Sequence, residues 1–146
     1  MANRLHHVGI VCRDREGADE LLQLLGLEVA SEEYVEAYQA QCLFTEGPQG
    51  GARLELIVPT GGKLAKFNKG AGGLHHIALE VDDLEAESAR LRAAGVQLLE
   101  DEPVDAGPIK INFVPPAYTR GVIVELVAPN ASWGDDPANH PRSEDA

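Results

Sequence analysis

One short motif occurs twice in this chain, and its repetition limits the folds that the chain can adopt. LHHVGI begins at Leu5, and LHHIAL begins 69 residues later at Leu74. Matching segments, LEL at 54–56 and VEL at 124–126, follow at nearly the same spacing. Such self-similarity indicates a duplicated module, which brings equivalent residues of its two copies into related positions. Each copy therefore supplies a histidine near its start and a glutamate near its end.

The two copies also share an order of predicted secondary structure. In each copy a strand holds the histidine pair, a helix follows between an aspartate cap and a glycine, and three strands complete the module. In the first copy the predicted strands are 5–12, 27–30, 34–45 and 52–58, and the helix is 15–25. In the second copy the predicted strands are 74–81, 96–99, 109–114 and 121–127, and the helix is 84–94. We therefore predict an α+β fold built from two tandem βαβββ modules.

Length and charge narrow the class of protein. The 146 residues fit one domain, with modules at 4–59 and 73–129, a linker at 60–72 and a polar tail at 130–146. A net charge of −12 argues against nucleic acid and anionic membranes as partners. No apolar run approaches the roughly 18 residues of a spanning helix. We also expect no signal peptide, two buried free thiols and a cytoplasmic protein.

The second histidine of each pair is the better candidate for a functional group. Because strand residues alternate between faces, His7 shares a face with Gly9, and His76 shares a face with Ala78. These small neighbours leave room for an ion or a substrate. His6 and His75 lie on the opposite face and are expected to support the first two.

Each module also carries a glutamate within an apolar strand. Glu55 and Glu125 are flanked by leucine or valine, and a carboxylate in such a place is costly to bury unless it is paired or ligated. Each polar residue alone could be structural, for example a glutamate paired with Arg53. Two imidazoles and two carboxylates that are related by duplication instead favour a divalent metal site, which could hold Co, Mn, Ni, Zn or Fe.

At these residues the chain resembles the vicinal oxygen chelate superfamily, which includes glyoxalase I, methylmalonyl-CoA epimerases and extradiol dioxygenases. The resemblance covers residues 4–129 and is closest to the epimerases. The segments that carry it are LHHVGI at 5–10, AKF at 65–67, GLHHIALEVDD at 73–83, GVQLL at 95–99, DEP at 101–103, INF at 111–113 and GVIVEL at 121–126. It implies a curved mixed sheet around a central metal, with ligands at His7, Glu55, His76 and Glu125.

The resemblance further implies an isomerase that acts through an enolate. A divalent ion stabilises the enolate, and carboxylates beside the ion move the proton, which makes Glu125 and Glu55 candidate catalytic residues. Gln41 is counted with them as a candidate catalytic residue, because it occupies the position that we align with the glutamate base of the epimerases, although a neutral amide cannot itself remove a proton.

The implied substrate is a small molecule, either an acyl-CoA or a thiol adduct. Lys66, Lys110 and Arg120 are candidates for binding its negative charges. Relatives of this superfamily often form homodimers, and a homodimer is expected here.

Three other functions remain open at this stage. The leading hypothesis is an acyl-CoA epimerase. A glyoxalase-I-type lactoylglutathione lyase would use the same ligands with Glu125 as its base, and it becomes more attractive because Gln41 replaces the base of the epimerases. An extradiol dioxygenase fits less well, because Glu55 would fill a position that this chemistry keeps open. A small-molecule-binding protein of the resistance type would be non-catalytic, and such relatives often lack the full set of four ligands.

Overall fold

A computed structural model describes residues 3–47 and 51–130 and confirms the α+β fold. Both sequence repeats have the predicted order of one strand, one helix and three strands. The chain divides into two compact units, of which the first is Leu5–Ala78 and the second begins at Leu79 and includes Arg4. This division lies within the strand that carries the second histidine pair. His76 therefore belongs to the same unit as His7.

Helix α1, Arg15–Leu25, begins and ends where the sequence predicts. Asp14 has an extended backbone, and its carboxylate accepts a hydrogen bond of 2.8 Å from the backbone N–H of Gly17. Gly26 ends the helix in the left-handed conformation with φ of +65°. The apolar positions of the helix bury Ala18 and Leu22 against the sheet.

The sheet of the first unit is mixed. Its strands are β1 Arg4–Val11, β2 Val29–Val35, β3 Ala40–Thr45, β4 Arg53–Pro59 and β5 Gly73–Glu80, in the spatial order β2-β3-β4-β1-β5. Strand β1 runs parallel to β4, whereas β3 pairs antiparallel with both β2 and β4.

The two faces of this sheet have different partners. On one face α1 packs over an apolar cluster that includes Leu43 and Leu56. On the other face Val11 and Ile57 form a second cluster, against which the side chains of the segment after β4 pack. That segment contains the short helix α2, Gly62–Ala65. The second face is the one that carries the polar residues described below.

The second unit repeats the same elements. Helix α3, Leu84–Ala93, is capped by Asp83, and the strands β6 Val104–Ala106, β7 Ile109–Val114 and β8 Ile123–Pro129 follow. Strands β6, β7 and β8 pair antiparallel in that order. Val81, Leu98 and Leu126 belong to its apolar core. None of the described helices combines the length and apolarity that crossing a bilayer requires.

Two predicted strands are wrong in their positions. The predicted strand 34–45 is interrupted by a 3-10 turn at Glu36–Tyr38 and by Gln39, which has φ of +50°, so that β2 and β3 are separate. The predicted strand 96–99 is irregular, and β6 lies further along the chain. In this region side chains satisfy the backbone: the hydroxyl of Tyr118 accepts from the N–H of Gln97 at 3.2 Å, and Oδ1 of Asn112 accepts from Glu100 at 3.1 Å.

The division into modules 4–59 and 73–129 with a linker at 60–72 stays a prediction. The predicted tail, 130–146, lies outside the described residues except for Asn130. That residue is buried, and its side-chain amide donates to the carbonyl of Gly107 at 3.1 Å.

Candidate metal centre

Three of the four predicted ligands meet within the first unit. His7 lies on β1, Glu55 on β4 and His76 on β5, and they are only 1%, 9% and 4% exposed. Nε2 of His7 is 3.1 Å from Nε2 of His76. Oε1 of Glu55 is 3.6 Å from the first of these nitrogens and 3.3 Å from the second. All three donor atoms lie within 4.8 Å of one another.

A glycine makes this convergence possible. Gly9 is the residue of β1 that pairs with Glu55 on β4, so both lie on the same face of the sheet. A Cβ atom on Gly9 would stand 2.2 Å from Cε1 of His76. The imidazole of His76 therefore lies over the backbone of Gly9. From the sequence we expected the space beside Gly9 to hold an ion or a substrate. In the structure the imidazole of His76 occupies this space.

The donor set suits a divalent cation. Two imidazole nitrogens and one carboxylate oxygen converge in a place with little access to water, and an anionic carboxylate buried there is costly without a partner charge. Imidazole and carboxylate together are ligands of Zn, Fe, Co, Ni and Mn. His7, Glu55 and His76 therefore form a group that fits such an ion.

The first histidine of each pair contacts the second. Nδ1 of His6 is 2.7 Å from Nδ1 of His7, and Nδ1 of His75 is 2.8 Å from Nδ1 of His76. In each pair one ring must donate and the other accept. Because this contact engages Nδ1, it orients the ring so that Nε2 points to the centre. Phe44, which sequence reasoning missed, adds an edge-to-face contact with the ring of His7 at 5.3 Å between centroids.

Loss of the contact between Nδ1 of His6 and Nδ1 of His7 should weaken metal binding without abolishing it. We expect His6→Ala to lower the affinity for Co²⁺ about 10- to 100-fold, as is typical for residues that orient a ligand histidine. His6→Phe keeps an aromatic ring but lacks Nδ1, so it should show the same loss. Competition with a fluorescent chelator measures both variants. Wild-type affinity in His6→Phe would show that ring packing, and not the hydrogen bond, matters.

The fourth predicted ligand, Glu125, lies in the second unit. It is 6% exposed, sits on β8 and pairs with Phe113 of β7. A buried carboxylate on an apolar strand is what the sequence predicted for this residue. Its roles as a metal ligand and as a base stay predictions.

Gln41 does not face the metal centre. It pairs with Val58, which lies on the face that α1 covers, whereas Glu55 pairs with Phe44 on the other face. The side-chain amide of Gln41 donates to Oε2 of Glu32 at 2.9 Å. The alignment therefore put Gln41 on the wrong face for a base, and only the register of β3 against β4 reveals this.

The predicted substrate-binding cations are distributed over both units. Lys66 is exposed at the end of α2 in the first unit. Lys110 is half-buried on β7 opposite Asp105, and Arg120 is exposed with φ of +61°. Their contact with a substrate stays a prediction.

Comparisons with known proteins agree with this fold. The model of the Glyoxalase/Bleomycin resistance protein/Dioxygenase superfamily matches residues 6–113. The chain is 34% identical over 133 residues to the ethylmalonyl-CoA/methylmalonyl-CoA epimerase of Cereibacter sphaeroides. The aligned region covers 86% of this chain and 98% of that protein.

Solved structures point to the same group of proteins. Methylmalonyl-CoA epimerase from Mycobacterium tuberculosis superposes with a TM-score of 0.81 at 31% identity, over 90% of this chain and 91% of the other. A Streptomyces coelicolor methylmalonyl-CoA epimerase variant in complex with 2-nitronate-propionyl-CoA superposes with a TM-score of 0.76 at 31% identity, over 88% and 98%.

Proposed function

The chain belongs to the Glyoxalase/Bleomycin resistance protein/Dioxygenase superfamily, and we propose that within it this protein is a metal-dependent epimerase of methylmalonyl-CoA or a related acyl-CoA. The observation that carries the proposal is the buried group of His7, Glu55 and His76. Support comes from epimerases that match nearly the whole chain and from one that was solved with an acyl-CoA analogue.

The proposed reaction inverts a carbon that lies between two carbonyl groups. Removal of the proton from one face of this carbon leaves an enolate, and return of a proton to the opposite face by a second acid gives the epimer. A divalent ion, when bound, would supply a Lewis acid for the negative charge. His7, Glu55 and His76 would hold that ion. Their burial excludes water, which strengthens the electrostatic stabilisation of a developing charge.

A carboxylate must remove the proton, because Gln41 is a neutral amide and its side chain lies on the other face of the sheet. We assign this role to Glu125, a buried carboxylate on an apolar strand. Glu55 is assigned as a ligand, because its Oε1 lies between the two imidazoles. A homodimer and a cytoplasmic location stay predictions.

Exchange of the C2 proton tests the proposed reaction directly. In D₂O the Co²⁺-loaded protein should incorporate deuterium at C2 of methylmalonyl-CoA, and mass spectrometry follows this without a coupled enzyme. The same protein after dialysis against a chelator is the control and should lose exchange. Turnover of the methylglyoxal–glutathione hemithioacetal without exchange would instead identify a glyoxalase-I-type lyase. A protein that retains no stoichiometric divalent ion and turns over neither compound would be a binding protein.

A further inference from the structure

The segment between the two repeats brings an aromatic ring to the histidine pair of β5. Phe67 follows α2, and its ring lies edge-to-face with the imidazole of His75, at 4.9 Å between centroids and 74° between planes. His75 is the first histidine of the second pair, and its Nδ1 is 2.8 Å from Nδ1 of His76. Phe67 therefore contacts the residue that contacts one of the three converging donors.

A tight turn fixes the position of Phe67 relative to β5. The backbone N–H of Gly72 donates to the carbonyl of Phe67 at 3.4 Å, and the side-chain amide of Asn68 donates to the carbonyl of Gly72 at 2.8 Å. Asn68 and Lys69 both adopt the left-handed conformation, with φ of 51° and 58°. Asparagine is one of the few residues other than glycine that visit this conformation readily. The turn therefore closes with Phe67 next to the start of β5.

The same turn is seated against β1. Gly72 has φ of +76°, and a Cβ atom there would stand 2.3 Å from the carbonyl oxygen of Val11, so this close approach requires glycine. The side chain of Phe67 packs against the apolar cluster that contains Val11 and Ile57, on the face of the sheet that carries the metal centre. Phe67 is thus held between this cluster and the ring of His75.

The two candidate ligand histidines are supported by aromatic rings in different ways. The ring of His7 contacts Phe44 of β3 directly. The ring of His76 lies 5.0 Å from that of His75, at 89° between planes, and His75 in turn contacts Phe67. An edge-to-face contact favours one mutual orientation of two rings and contributes more than the burial of their apolar area. An orientation imposed on His75 passes to His76 through the contact between their Nδ1 atoms.

We propose that Phe67 is a positioning residue of the metal centre. Its ring orients His75, and His75 in turn holds the imidazole of His76 with Nε2 towards the other two ligands. The inference rests on the metal-binding part of the proposed function. Histidines that bind metals are held by a partner on the other ring nitrogen, and here that partner has an aromatic support of its own. The segment between the repeats thereby becomes a determinant of metal affinity, together with the strands that carry the ligands.

Replacement of the ring by an aliphatic side chain separates orientation from apolar packing. We expect Phe67→Leu to lower the affinity for Co²⁺ about tenfold in competition with a chelator and to change the absorption spectrum of the bound Co²⁺. Phe67→Tyr keeps the ring and should retain both properties of the wild type. Leu64→Ala is the matched control, because Leu64 of α2 packs against the same apolar cluster. This control should lose stability and keep the affinity and the spectrum.

A second substitution tests whether Phe67 acts through His75. His75→Phe keeps a ring against Phe67 and removes Nδ1, the atom that contacts His76. In this background Phe67→Leu should cause no further loss of Co²⁺ affinity, although each substitution alone lowers it. Equal losses from Phe67→Leu in both backgrounds would overturn the inference. Wild-type affinity in Phe67→Leu, or a comparable loss in Leu64→Ala, would overturn it as well.

A measurement without metal distinguishes this inference from the proposed function. In NMR spectra of the metal-free protein, the ring signals of His76 should shift in Phe67→Leu and stay in place in Leu64→Ala. A wild type that binds no divalent ion would contradict the proposed function, and the shift of the His76 signals would still show that Phe67 positions this ring. Unmoved His76 signals in Phe67→Leu would overturn the inference while the proposed reaction stands.

Discussion

His76→Ala should remove stoichiometric metal from the purified protein and lower the rate of C2 deuterium exchange about a thousandfold. The imidazole of His76 is one of three buried donors, and its Nε2 lies within 3.3 Å of both other donor atoms. A Lewis acid contributes several kcal/mol to the stabilisation of an enolate, and about 4 kcal/mol corresponds to a factor of about 10³ in rate. Metal analysis by mass spectrometry and the exchange assay measure the two effects.

A thermal measurement separates loss of the ligand from damage to the fold. Co²⁺ at 100 times its dissociation constant should stabilise the wild type by about 2.7 kcal/mol, and His76→Ala should show no such response. Cys12→Ala is the matched control, because Cys12 is also buried in the first unit but packs on the helix-covered face. This control should lose stability and keep the full response to Co²⁺. A variant at His76 that retains wild-type Co²⁺ affinity would show that this residue is not a ligand.

Local signals made parts of the fold predictable from the sequence. Helix α1 has an aspartate that accepts from its first turn, a regular apolar stripe and a glycine in the left-handed conformation at its end. Each of these signals acts within a few residues, so the bounds of α1 follow from the sequence alone. The segment 96–99 lacks such determinants. Its backbone is satisfied by Tyr118 and Asn112, whose positions depend on tertiary structure.

The ligand histidines were predictable for a different reason. The duplication marks His7 and His76 as equivalent, and alternation along a strand assigns them a face without knowledge of the register. The face of the sheet that Gln41 occupies could not be inferred in this way. The separate strand β2 and the antiparallel pairing of β3 with β4 determine which face it occupies, and its amide bonds to Glu32 on that face.

Gly9→Ala should be nearly as damaging to metal binding as the loss of His76 itself. The added Cβ would stand 2.2 Å from Cε1 and 2.7 Å from Nε2 of His76, distances that force the ring to move. Movement of the ring takes Nε2 away from Glu55 and His7. We expect the affinity for Co²⁺ to fall at least about a hundredfold, and overpacking should lower the free energy of unfolding by about 1–3 kcal/mol.

A double-mutant cycle in urea identifies the cause of that loss. If the methyl group acts through the imidazole, Gly9→Ala should cost about 1–3 kcal/mol in the wild type and almost nothing once His76→Ala has removed the ring. Gly17→Ala is the control, since its Cβ would meet only Oδ1 of Asp14, at 3.3 Å, and its effect should be the same in both backgrounds. Additive costs at Gly9 and His76 would contradict the steric account. Coupling between them would show that the first repeat omits a side chain at Gly9 so that the second repeat can place its histidine there.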